Sequence, residues 1–134
     1  DISFQAFLTD EWTLGGTYSY VSDDQFEIAD GAPISLNAPQ HKGAISLAYR
    51  NLARGFNASV RMRANSEFEA FSADFGGTVD AVALFDLTAG YDIPNTRATL
   101  QLSMSNLFDN KYRSFPGVPR IGRFTMLRAK YDLF

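Results

Sequence analysis

The 134-residue sequence predicts an all-β fold: an antiparallel up-and-down transmembrane β-barrel, with about seven strands present as an arc of a larger one. Three observations lead to it. Apolar and polar residues alternate one for one along several stretches of about ten residues, the length that crosses a bilayer at a tilt, whereas soluble strands centre near five or six. Short and long connections follow each other in strict turn. Aromatic residues gather near strand ends on the apolar face, as in the interfacial girdles of membrane barrels.

The first segment, Ile2 to Leu8, is the least regular, because Phe7 falls on its polar side. In the second, Trp12, Leu14, Gly16, Tyr18 and Tyr20 alternate with Thr13, Gly15, Thr17 and Ser19; in the third, Ile45, Leu47 and Tyr49 alternate with Ser46, Ala48 and Arg50. The fourth is strict, with Phe56, Ala58, Val60, Met62 and Ala64 against Asn57, Ser59, Arg61, Arg63 and Asn65. The fifth sets Ala83, Phe85, Leu87, Ala89 and Tyr91 against Leu84, Asp86, Thr88 and Gly90. In the sixth, Ala98, Leu100, Leu102 and Met104 oppose Thr99, Gln101, Ser103 and Ser105. The seventh places Leu127, Ala129, Tyr131 and Leu133 against Met126, Arg128, Lys130 and Asp132. A period of two puts each apolar set on one side of a strand, and no helical face can be drawn through it.

Thr9 to Glu11, Asn51 to Gly55 and Asp92 to Thr96 are short and rich in turn residues, so each reads as a tight hairpin. Ser22 to Lys42, Ser66 to Val79 and Asp109 to Arg123 are long and hold much of the Pro, Gly, Asp and Asn. Every second connection of an antiparallel sheet lies on the same edge, so all tight turns face one side and all long loops the other, the asymmetry of a membrane barrel. Seven strands cannot close such a sheet antiparallel, and open edges in lipid would leave backbone groups unpaired. The chain, which opens at Asp1 without Met or a signal-like segment, is therefore expected to be a piece of something longer.

Composition narrows the function classes. Residues are 46% hydrophobic and 20% charged with a net charge of −3, so bulk charge gives no sign of a nucleic-acid partner. There is no cysteine, hence no disulfide framework or thiolate site. No apolar run reaches the roughly 18 residues of a transmembrane helix, and mean hydropathy is −0.15. No Gly-x-Ser-x-Gly elbow or phosphate-cradling glycine loop is present, so neither enzymatic activity nor a cofactor is expected.

The last third carries a family resemblance. Asn106-Leu107-Phe108-Asp109-Asn110-Lys111-Tyr112, the loop Phe115 to Arg123, and the ending Tyr131-Asp132-Leu133-Phe134 resemble the C-terminal end of TonB-dependent outer-membrane receptors. Ala32 to Gly43 is similar to the start of an earlier strand of the same barrels. The resemblance implies a barrel of twenty-two strands, of which this chain supplies about the last seven. It also implies uptake of scarce nutrients such as iron chelates, cobalamin or glycans. The implied partners are outer-membrane lipid, the rest of the barrel with its plug domain, TonB through an N-terminal box, and the barrel-assembly machinery. That machinery reads a terminal Tyr-x-Phe in the family; here Leu133, not Phe134, is in phase with Tyr131.

Candidate residues fall into three groups. Arg61, Arg63, Asp86 and Gln101 share the polar face and are expected to look into the lumen; a hairpin near Ala73 would set Asp86 opposite Arg61. Trp12, Tyr20, Tyr49, Phe56, Tyr91 and Tyr131 are expected at the membrane interfaces. Arg120 and Arg123 flank a Pro/Gly loop, where an anionic cargo or a lipid phosphate could be met. His41, the single histidine, is expected to be a solvated loop residue. The acidic stretch Asp23 to Gly31 lacks calcium-loop spacing, and it and the group Glu67, Glu69, Asp74 and Asp80 read as solvated loops with no metal. Two rival readings stay open: a soluble β-sandwich or small barrel serving as a binding module, whose apolar face is a protein core, and a structural subunit of an outer-membrane assembly.

Overall fold

A computed structural model describes residues 1–22, 25–27, 33–72 and 75–132. Its large sheet has seven strands: β1 (Ile2–Phe7), β2 (Trp12–Tyr20), β5 (His41–Asn51), β6 (Phe56–Asn65), β9 (Val82–Asp92), β10 (Ala98–Ser105) and β11 (Phe124–Tyr131). They are ordered as they occur in the chain, each antiparallel to the next, with β1 and β11 at two open edges. Four short strands lie in two of the long connections: β3 (Gln25–Glu27) pairs with β4 (Pro33–Ser35), and β7 (Phe68–Ser72) with β8 (Phe75–Val79).

Register keeps the two phases apart across the whole sheet. One unbroken apolar row runs Ala6, Leu14, Leu47, Val60, Leu87, Met104, each residue the cross-strand partner of the next. The neighbouring row runs Gln5, Gly15, Ser46, Arg61, Asp86 on the other face. Sequence alternation thus becomes two chemically distinct sheet surfaces.

Among the described residues, nothing covers the apolar one. Leu47 is 40% exposed, Val60 43% and Leu127 72%. The buried hydrophobic residues among those described are Ala70, Val79 and Leu84, none of them on that face. A soluble sandwich would bury it under a second sheet; the described chain has a single main layer, so that rival reading is corrected. A continuous greasy surface of this extent is suited to lipid.

Local chemistry sets the tight turns. Thr9 Oγ1 accepts from the N–H groups of Glu11 and Trp12 at 3.2 and 3.1 Å, closing β1 onto β2. Asn51 Oδ1 accepts from Arg54 N at 2.9 Å, and Gly55 completes that turn at φ +64°. A Cβ there would stand 2.7 Å from the Asp92 carbonyl oxygen, so glycine is required for close approach as well as for φ. Asn95 takes φ 59° between β9 and β10.

His41 corrects an expectation. It is the first residue of β5 rather than a loop residue, on the apolar face, with its Nδ1 2.8 Å from Tyr18 Oη and its ring 5.1 Å from that of Tyr20.

Candidate functional site

The polar face carries a hollow of about 860 Å³ bordered by residues from β1 through β10, among them Ser3, Thr17, Arg61, Arg63, Asp86 and Ser105. A second, of about 480 Å³, continues over Gln5, Gly15, Ser46 and Arg61. The sheet therefore curls toward its polar side, as a barrel arc must when that side faces the interior.

Arg61 and Asp86 are cross-strand partners, as the hairpin argument expects. The ion pair nevertheless belongs to Arg63, whose Nε donates to Asp86 Oδ2 at 2.7 Å and whose Nη2 lies 3.4 Å from Oδ1. Arg63 reaches diagonally along the pleat, toward a carboxylate held on its far side. Ser105 Oγ and the backbone N–H of Asn106 both donate to Asp86 Oδ1 at 3.0 Å, and Arg63 Nη2 donates to Ser105 Oγ at 3.3 Å. Arg61 has no hydrogen-bond or ion-pair partner among the described residues. Gln101 lies level with Gly90 and Arg128 on the same face. Gly90 leaves room for the Asn57 side chain, since a Cβ there would be 2.7 Å from Asn57 Nδ2.

Directly above this network stands a turn that the sequence marked only as a family motif. Asn106 is 2% exposed and sits at φ 56°. Its side chain accepts from Asn110 N at 3.0 Å and donates to Asn110 O at 2.8 Å, and Leu107 N donates to Phe85 O at 2.7 Å. An Asn that tolerates the left-handed region and satisfies a buried backbone at the same time explains the residue choice. Asp109, at φ 57°, accepts from Arg123 N at 2.6 Å and Lys111 Nζ at 2.9 Å through Oδ1, pinning the start of the last loop to its end. The Arg123 N–H and then the Lys111 ammonium hold the Asp109 carboxyl below its ordinary value.

The two loop arginines separate. Arg120 borders a cleft of about 590 Å³ between the last loop and the β8 region, whereas the Arg123 backbone N–H is bound to Asp109. A further link was not legible in the sequence: Asn37 holds Phe71 by paired 2.8 Å bonds to its backbone N and O, joining two of the long connections.

Among the aromatic candidates, Trp12, Tyr49, Phe56 and Tyr91 line the apolar face at the short-turn end. Trp12 and Tyr49 have ring centroids 4.9 Å apart, Tyr49 and Phe56 6.1 Å, and Phe56 is the register partner of Tyr91. Tyr131 joins that end opposite Ala98, and Tyr20 ends β2 at the opposite end beside His41. Tyr18, not singled out from the sequence, belongs with Tyr20. Leu133, Phe134, Asp74 and most of the acidic stretch Asp23 to Gly31 lie outside the described residues. Glu69 accepts from Thr78 Oγ1 at 2.7 Å, and no cluster of three or more His, Cys, Asp or Glu suited to a metal occurs among the described residues.

Comparison with known proteins gives a consistent picture. The family described as TonB dependent receptor-like, beta-barrel matches residues 1–107. A metal-pseudopaline receptor, CntO of Pseudomonas aeruginosa, is 31% identical over 134 residues, which covers 90% of this chain and 19% of that protein. The chain thus spans about a fifth of that relative's length. The siderophore receptor PiuA of Acinetobacter baumannii superposes with a TM-score of 0.65 at 18% identity, covering 93% of this chain and 20% of that one. The copper transporter OprC does so with a TM-score of 0.68 at 15% identity, covering 95% and 22%. With the family match spanning most of its length, this chain belongs to the TonB-dependent receptor β-barrel family, a family of outer-membrane receptors and not of enzymes.

Proposed function

We propose that this chain forms the C-terminal wall and outer loops of a receptor that takes up a metal chelate across the outer membrane, driven through TonB. The observation that carries the reading is the 31% identity to a metal-pseudopaline receptor along nearly the whole chain, on a sheet whose polar concave face is set against an uncovered apolar one. In this reading Arg61, Arg63, Asp86 and Gln101 face the lumen and its plug domain, and Arg120 lies at the outer mouth. Trp12, Tyr49, Phe56, Tyr91 and Tyr131 mark the periplasmic membrane interface and Tyr20 the outer one, where amphipathic rings are stable. The barrel-assembly machinery inserts the strands.

The test is uptake of radioactive nickel and zinc by metal-starved cells producing the full-length receptor. Uptake that requires both the receptor and TonB is the expected result; equal accumulation in a receptor deletion refutes the reading.

A further inference from the structure

Charge is distributed unevenly between the wall and the rest of the chain. Every Lys and Arg within the seven strands of the large sheet (Lys42, Arg50, Arg61, Arg63, Arg128 and Lys130) is on the polar, concave face. Only Asp86 and Asp92 oppose them within those strands, although the chain as a whole has a net charge of −3. Arg61, like Lys42, Arg50 and Arg128, makes no side-chain hydrogen bond or ion pair to a described residue, and it stands at the middle of β6, about 15 Å from either end at about 3.3 Å per residue. Asp86 cannot neutralise it, because that carboxylate is already engaged by Arg63, Ser105 and the Asn106 N–H.

Space accompanies the charge. Arg61 borders both hollows of the concave face, and the residues beside it toward β2 are small: Gly15, Ala44 and Ser46. Guanidinium offers a planar fork of donors that matches a carboxylate, and within an enclosed barrel its attraction for an anion exceeds that in bulk water. We propose that Arg61, with the hollow over Gly15, Ala44 and Ser46, is a carboxylate-binding site on the inner wall. The carboxylate comes either from an anionic metal chelate in transit or from a side chain of the receptor segment enclosed by the barrel. The proposal rests on the transport reading above and deepens it toward carboxylate-bearing cargo.

Citrate is the probe. Current is recorded through the full-length receptor in a planar bilayer after urea has displaced whatever fills the barrel. Citrate occludes the wild-type pore, and Arg61→Glu weakens its apparent affinity by about tenfold or more, the scale of losing one close charge pair. Arg61→Lys retains part of the effect. Ser46→Leu, which fills the hollow without altering charge, weakens citrate as Arg61→Glu does.

Vancomycin entry into cells producing the receptor separates the sources. Arg61→Glu admits the antibiotic if the charge holds an enclosed segment, and leaves it excluded if the charge meets only the chelate. The proposal is overturned if citrate occludes Arg61→Glu as tightly as wild type, or if Arg128→Glu weakens it equally, which would make the effect a diffuse field. Metal uptake by wild type is measured in the same strain, so its absence refutes the transport reading while the citrate result still decides Arg61.

Discussion

Two arginines share a face with Asp86, and a double-mutant cycle on each distinguishes register from contact. The perturbations are Arg63→Met, Arg61→Met and Asp86→Asn, singly and in both pairs, in the full-length receptor. Arg63 makes the 2.7 Å ion pair, with side-chain exposures of 39% and 25% for Arg63 and Asp86. A hydrogen bond to a charged group contributes about 1.5–3 kcal/mol, and exposed pairs about 0.2–1 kcal/mol. Discounted for that partial exposure, the Arg63–Asp86 coupling comes to about 1–2 kcal/mol. The Arg61–Asp86 coupling should stay below about 0.3 kcal/mol, because Arg61 makes no bond to Asp86, whose charge is already paired with Arg63. Urea unfolding in detergent micelles, followed by heat-modifiable gel migration, measures each stability. Equal couplings for the two arginines, or a larger one for Arg61, would refute the Arg63–Asp86 contact geometry.

Three further outcomes follow from the same structure. Leu47→Arg, in the middle of β5 on the uncovered apolar face, should destabilise the folded barrel by about 2–4 kcal/mol, whereas Ser46→Arg, one residue away on the concave face, should cost far less; equal costs in a lipid-refolding titration would sink the assignment of faces. Asn106→Ala removes both side-chain bonds to Asn110 and forces alanine into φ 56°. A loss of about 2–4 kcal/mol and faster amide exchange over residues 106–112 are expected, and unchanged exchange would count against the buried-turn role. Asp109 has a folded pKa depressed below 3.8, so its contribution is present above that value and is lost as pH falls through the folded pKa. Protection of the Arg123 amide, measured against its intrinsic exchange rate at each pH, should therefore fall only in that acid window in wild type and be low at all pH values in Asp109→Asn, and a wild-type protection profile without the acid step contradicts the carboxylate's role.

The faces were legible because period-two alternation needs no knowledge of partners. Phe56, Ala58, Val60, Met62 and Ala64 must lie together on any extended strand, whatever pairs with it. Loop parity was legible for a similar reason, since Thr9 to Glu11 and Asn51 to Gly55 are too short for anything but a hairpin. The hairpins β3–β4 and β7–β8 were not, because strands of three to five residues give too few alternations to stand out from a loop. His41 reads as a loop residue from the sequence for want of a visible boundary: strand β5 begins two repeats of the pattern before Ile45, the first apolar residue that announces it.

The candidate site divides along the same line. Sequence alone determined that Arg61, Arg63 and Asp86 face one way and that apolar residues face the other, and it showed that Asn106 to Tyr112 resembles the C-terminal end of a TonB-dependent receptor barrel. Tertiary structure alone decided that Arg63 takes the carboxylate, that Ser105 and Asn106 complete its shell, and that Arg61 borders a hollow without a partner among the described residues. The physical reason is that a face is set within one strand, by the pleat of the backbone. A partner is set between strands, by register, side-chain reach and competition for a limited number of acceptor lone pairs.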